Sequence, residues 1–399
     1  MASASSPPQK SGQVDVLDSP LISGLPDDIA LLCLARIPRR YHGILRCVSK
    51  KWKALLCSEE WRSCRQRHDL QETWIYALCR RNKRRNCYYV FDPNSDRRSW
   101  TCLQSVPPQC LKREGMAFET IGSKLYVLGG CSWGEDSTDE VYFYDASINT
   151  WAKGCPMPTP RYIDQKHLTD SKGFGTLTKG NTKMSLGGRV LPIPIFSEEG
   201  KRCYFVSAVL GDRLYTTDGA GMGSKTFQTW DTYDPCLDSW TSNQDRKLAA
   251  DVQKLISLDG KIYSIHEPNH EFHYAGTFDP TDNDWEHSNS EIALCWRGPT
   301  VIVDEILYML DETSGAKLMR WQEETGDWVS VGRLSPLLVK PPCQVVANGR
   351  TIIVIGKGLS TIAVDVDKAA KVGGMLVSSF SLPELDSDLS VLSCKTITI

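Results

Sequence analysis

Apolar and polar positions along this 399-residue chain follow two periods, one after the other. From Leu21 to about His68 the spacing is helical, with Ile29, Leu32 and Cys33 on one face and Val48, Trp52, Leu55 and Leu56 on another. Pro26 suits a helix start, where its missing N–H costs nothing, and Asp27 and Asp28 then fall in the favourable first turn. Pro38 separates this helix from the next, so the stretch predicts a small helical bundle. From residue 74 onward the period is that of strands. Alternating apolar runs recur at 74–78, 124–128, 213–215, 261–265, 306–310 and 351–355, and their third positions are separated by 50, 89, 48, 45 and 45 residues.

A second marker keeps phase with the first. An aromatic residue is followed seven positions later by tryptophan at Tyr144/Trp151, Tyr233/Trp240, Phe278/Trp285 and Trp321/Trp328. Two strands joined by a tight turn explain the spacing. Asp234-Pro235 and Asp279-Pro280 open two such turns, proline presetting the backbone angle and aspartate bonding its own main chain. The tryptophans are expected to pack between neighbouring sheets. This period, with several short strands per unit, is what a β-propeller blade requires, and six copies predict six blades in a mainly β fold. The first copy has no innermost strand before it. The C-terminal run 389–397 can supply one, and its pairing with the first blade would close the ring and remove exposed edges.

The step of 89 residues appears in both markers, and cutting out 162–202 restores a step of 48 and joins 158–161 to a strand at 203–209. The excised piece is rich in Gly, Lys and Thr and has no Trp; it reads either as a flexible insertion or as an ordered functional loop. Turns such as Gly211-Asp212, Asp259-Gly260 and Asn348-Gly349 suit two-residue connections, which trims one face of the propeller. The opposite face carries longer connections at 80–86, 131–139, 220–228 and 267–273. Scaffolds concentrate binding on such loops, and Arg84, Arg85, Trp133, Lys225, His270 and His273 are the candidate target-binding residues there.

Composition narrows the picture. Residues 1–19 are rich in Ser and Pro without an apolar core segment, which reads as a disordered tail rather than a signal peptide. No stretch approaches the roughly 20 apolar residues of a membrane helix. A formal charge of −2 gives no global field for nucleic acid or anionic lipid. Fifteen cysteines are scattered without a Cys-x-x-Cys pair, as expected of a reduced compartment, the cytoplasm and/or the nucleus. His266-Glu267-Pro268-Asn269-His270 matches a zinc-protease pattern that works only on a helix, and Pro268 after a strand argues against one. No catalytic, metal or cofactor site is expected. The basic run 80–85 reads as a nuclear import signal, a patch for acidic partners or a solvated hairpin tip.

Leu25-Pro26-Asp27-Asp28-Ile29, then Leu32, Leu34 and Ile37-Pro38, then 46–52 and Trp61, resembles an F-box over residues 20–68. The resemblance implies docking on a Skp-type adaptor, with Leu25, Pro26, Ile29, Leu32, Ile37, Val48 and Trp52 as the adaptor contacts. Tyr41-His42-Gly43 stands where apolar residues are common in that family. Gly129-Gly130 with Tyr144 and Trp151 resembles a kelch repeat, and the other copies carry Asp218-Gly219, His266-Glu267 and Asp311-Glu312 in place of the glycine pair. Residues 69–399 are therefore read as a kelch propeller. An F-box joined to kelch repeats resembles the plant Skp-interacting F-box/kelch proteins. That resemblance implies a non-catalytic substrate receptor of an SCF-type ubiquitin ligase, reaching a cullin/RING ligase through the adaptor and holding an unknown target protein. Two other readings remain at this point. One is a kelch scaffold that never engages a ligase; the other is a propeller copper oxidase, which needs converging His and Tyr ligands where this chain clusters its histidines in one loop.

Overall fold

The structure, a computed structural model, describes residues 20–81, 85–132, 137–158, 205–218, 228–245, 252–266, 275–288, 298–313, 315–367, 371–372 and 375–399. It divides into two compact units, Met1–Glu72 with Thr398–Ile399, and Thr73–Ile397. The expected tail at 1–19 and the expected insertion at 162–202 lie outside the described residues.

Among the described residues, the first unit holds four short α-helices, α1 (Asp27–Ala35), α2 (His42–Val48), α3 (Lys50–Leu55) and α4 (Glu59–Arg67), with a 3-10 turn at Arg39–Tyr41. Pro26 is the N-cap of α1. The Asp27 carboxylate accepts the Leu21 N–H at 2.7 Å and faces Lys51 Nζ at 3.4 Å, and these contacts hold its pKa below the usual carboxylate value. Ser49 and Ser58 cap α3 and α4, their hydroxyls accepting from the N–H groups of Trp52 and Trp61. Because Ser49 is extended (φ −156°), the helix breaks after Val48. Residues expected to share one face are thereby split. Leu55 and Leu56 enter the core with Leu31, Leu34, Leu45 and Trp61, Trp52 packs at its edge, and Val48 is left 57% exposed.

Three polar residues, Arg39, His42 and Arg65, are buried in this small unit. Arg65, 2% exposed, donates from Nη1 to the Ala35 carbonyl at the end of α1 (2.6 Å) and pairs through Nη2 with Glu72 (3.1 Å). His42 lies buried with its ring edge-on to Trp61 at 5.3 Å and Nε2 3.1 Å from the Ile37 carbonyl. Burial, reinforced by the charge of Arg65, pushes its pKa down to about 4. It is neutral at physiological pH, which is how an imidazole fills an apolar site.

The second unit is six blades, each built on four antiparallel strands, with one parallel pairing where Met375–Leu376 joins blade 5. Blade 1 runs Leu389–Thr398, Thr73–Arg81, Arg85–Phe91 and Trp100–Cys102, so the C-terminal strand is its first member. Blade 2 is Ala117–Ile121, Lys124–Leu128, Val141–Asp145 and Thr150–Gly154; blade 3 is Phe205–Leu210, Arg213–Asp218, Gln228–Asp234 and Ser239–Asp245. Blade 4 is Val252–Leu258, Lys261–His266, Ala275–Asp279 and Asp284–Ser288. Blade 5 is Thr300–Val303, Ile306–Asp311, Lys317–Gln322 and Asp327–Arg333, extended by Met375–Leu376 and Lys371–Val372. Blade 6 is Gln344–Asn348, Thr351–Ile355, Thr361–Asp365 and Phe380–Leu382. The six apolar runs read from the sequence are the second strands of the six blades.

The seven-residue spacing is a cross-strand register. Tyr144 stands opposite Trp151, Tyr233 opposite Trp240, Phe278 opposite Trp285 and Trp321 opposite Trp328, with ring centroids 5.0–5.4 Å apart. The turns behave as expected of aspartate: Asp234 Oδ1 accepts the Cys236 N–H, and Asp279 Oδ1 accepts both the N–H and hydroxyl of Thr281. Between Asn348 and Thr351 the turn is Gly349-Arg350, one residue later than expected, because the positive φ (+57°) falls on Gly349. In the glycine pair, Gly130 (φ +86°) packs so closely that a Cβ would stand 2.6 Å from Met116 Cγ.

Aromatic rings join the blades. Tyr88 meets Trp151 across blades 1 and 2, Tyr126 meets Tyr233 across 2 and 3, and Phe278 meets both Tyr215 and Trp230 across 3 and 4. Blades 6 and 1 share a core of Val346, Ile353, Ile355 and Ala363 with Ile75, Phe91 and Trp100, and Trp100 Nε1 donates to Thr361 Oγ1 at 2.9 Å. On the first strands of blades 1 to 4 lies a polar group. Glu119, 7% exposed, accepts from Ser207 Oγ (2.8 Å) and from Lys395 Nζ (2.6 Å), and Lys254 lies within their electrostatic reach.

Candidate docking surface on the helical unit

A helix that meets one neighbour needs one apolar stripe, but α1 reads Ile29-Ala30-Leu31-Leu32-Cys33-Leu34-Ala35 and is apolar all round. Ala30, Leu31, Leu34 and Ala35 are buried in the unit's own core. Ile29 (44% exposed) and Cys33 look outward, one turn apart, with Pro26 exposed before them. On α2 the same division recurs: Leu45 is buried, whereas Ile44 (65%) and Val48 (57%), also one turn apart, are exposed. The Lys51–Asp27 ion pair sets the start of α3, just past Val48, against the first turn of α1. The end of one apolar stripe thus lies near the beginning of the other.

The seven residues expected to form this surface divide into two groups. Pro26, Ile29 and Val48 are exposed. Leu25 is half-buried, and Leu32, Ile37 and Trp52 pack against the core, where Trp52 Nε1 donates to the Leu21 carbonyl at 2.8 Å. These four shape the surface from beneath as much as they form it. Ile44 and Tyr41 (43% exposed) were not among the seven. The sequence signal that finds Ile44 is its one-turn spacing to Val48 on a helix whose other apolar member, Leu45, faces inward.

Of the propeller residues expected to bind a target, Arg85 is described, exposed at the start of a strand; Arg84, Trp133, Lys225, His270 and His273 lie outside the described residues. Within the basic run, Arg80 is buried and does not belong to an exposed patch. Arg80 and Asn86 are strand partners, and the Arg80 guanidinium is buried against Asn86 Oδ1 (3.3 Å) and Glu114 (3.4 Å). Where a loop was expected at 80–86, strand extends in from both sides, through Arg81 on one and from Arg85 on the other. His266 closes the strand Lys261–His266, so the His-Glu-x-x-His pattern begins on a strand.

The helical unit and part of the strand region each match a known family. The family model described as F-box domain matches residues 22–63, and the model described as Kelch motif matches residues 112–158. The F-box/kelch-repeat protein SKIP4 of Arabidopsis thaliana is 36% identical over 395 residues, covering 98% of this chain and 98% of that protein. From the same organism, the F-box/kelch-repeat protein SKIP30 is 22% identical over 85% of this chain and 83% of its own length, and the F-box protein AFR is 25% identical over 73% and 69%. The solved structure of YjhT covers 70% of this chain and 89% of its own, with a TM-score of 0.43 and 13% identity.

Proposed function

The chain belongs to the F-box/kelch-repeat family, and on that premise we propose that it is the substrate-recognition subunit of an SCF-type ubiquitin ligase. In this reading the helical unit docks on a Skp-type adaptor, and through it on a cullin/RING ligase, while the propeller holds a target protein for ubiquitination. The observation that carries it is α1, a helix apolar on both sides whose own unit covers only one. A bundle of this size cannot bury all its apolar residues internally, and a partner's groove covers the surplus. The receptor performs no chemistry of its own; it raises the concentration of the target near the transferring subunits. The thirteen described cysteines are all free thiols, which suits the reducing cytoplasm or nucleus.

Ile29→Asp combined with Val48→Asp tests the reading. Each buried aliphatic side chain contributes about 1.5–3 kcal/mol, so the pair is expected to weaken adaptor capture by at least about a hundredfold in a titration with purified Skp-type adaptor. Both residues are exposed, so the melting transition should hardly move. Capture at the wild-type level by this folded double variant would remove the assignment.

A further inference from the structure

In a blade of four antiparallel strands the link from second to third strand and the connection to the next blade leave on the same face, because antiparallel strands alternate direction. On that face, between blades 5 and 6, three segments meet. Residues 334–343 lead from blade 5 to blade 6, residues 356–360 join two strands of blade 6, and residues 383–386 leave its last strand. Main-chain bonds knit them together: Lys357 N–H donates to the Lys340 carbonyl and Leu385 N–H to the Gly358 carbonyl, both at 2.8 Å. Gly358 (φ +69°) allows the closest approach, since a Cβ there would meet Glu384 Cγ at 2.2 Å.

Between the segments is a groove of about 240 Å³, lined by Leu337, Leu338, Lys340, Ser360, Leu382 and Glu384. Leu337 is 89% exposed, and Leu385, beside the groove, is 52% exposed. The volume lies below the roughly 300–1,000 Å³ of small-molecule sites and suits a side-chain anchor instead. The rim charges are set unevenly. Lys340 pairs with Glu384 and Arg81 with Asp386, yet the two cations are 61% and 51% exposed against 27% and 30% for the carboxylates. Lys357 and Arg85 are exposed on the same face. Among the described residues, this face thus carries four exposed cations, Lys340, Arg81, Lys357 and Arg85, against one exposed carboxylate, Asp388, with Glu384 and Asp386 half-buried, so the balance of exposed charge beside the apolar slot is positive.

We propose that this groove docks an extended peptide segment of the target protein that carries a leucine-sized apolar anchor flanked by acidic residues. The inference deepens the receptor reading and rests on it for the origin of the peptide. The anchor fills the slot beside Leu337 and Leu338, and its acidic neighbours reach Lys340 and Arg81. Since the walls are held by main-chain bonds, little ordering is left to occur on binding.

The test uses the full chain and three fluorescein-labelled ten-residue peptides in anisotropy titrations: a central leucine pair flanked by aspartates, the same peptide with serines for leucines, and the same with lysines for aspartates. The acidic leucine peptide should bind at least about tenfold more tightly than either control. Leu337→Ser with Leu385→Ser, and separately Lys340→Glu with Arg81→Glu, should each weaken it by about tenfold or more, with adaptor capture unchanged. Equal binding of all three peptides, or undiminished binding by both double variants, overturns the proposal. So does concentration-dependent self-association that Leu337→Ser abolishes, which would make the groove an interface between copies. Adaptor capture is read in the same samples, so failure of the groove and failure of the ligase reading are seen separately.

Discussion

Lys254 lies on the first strand of blade 4, near Lys395 and Glu119, and its pKa is lowered to about 8 by burial, then by the charge of Lys395, with Glu119 acting in the opposite sense. A lysine that binds its proton less readily when folded destabilises the native state fully below about pH 8, and the penalty fades as pH rises toward the ordinary 10.5. Stability should therefore climb between those values in the wild type relative to Lys254→Met, which keeps the shape without the charge and should be the more stable protein at pH 7. Urea midpoints for both proteins at several pH values between 7 and 10.5 would decide, and parallel curves would dismiss the effect. Nothing in the local sequence marks Lys254, because Lys395 and Glu119 come from other blades. His42 was legible only as a departure from the family pattern; its burial against Trp61 explains why a neutral imidazole is tolerated there.

Among the elements, Leu389–Thr398 has the largest consequence. Leu389, Val391, Cys394 and Ile397 are buried, and the strand stands first in blade 1. At about 1.5–3 kcal/mol for each large apolar side chain, its removal approaches the 5–15 kcal/mol total stability of a typical domain. Deleting 389–399 should abolish the cooperative melting transition in calorimetry; a truncated chain that melts as the full chain does would refute the closing role. The tryptophan pairs were readable because a tight hairpin places positions seven apart directly opposite. Phe91 and Trp100 escaped the same search although they too are opposite each other, with rings 5.2 Å apart. Their turn is two residues longer, so the spacing is nine. Blade 6 has no tryptophan, and Phe380 packs against Phe91 in its place.

At the scale of the whole molecule, packing and hydrogen bonds hold the described residues together, since every described cysteine is a free thiol. The melting transition should be the same with and without dithiothreitol, and a drop on reduction would reveal a disulfide and count against a reducing compartment. The proposed receptor and docking functions lie on different compact units, so their variants should be separable. What the sequence by itself determined was periodic: a helical module followed by six units of strand, with a C-terminal run available to complete the first blade. Periodicity reports local geometry, in which neighbours along the chain are neighbours in space. Which apolar residues of the helical module face outward was decided by the break at Ser49, which separates Val48 from Leu55 and Leu56. The groove beside Leu337 likewise required three segments distant in sequence to converge. Such surfaces are made by long-range packing, and no local pattern of residues encodes them.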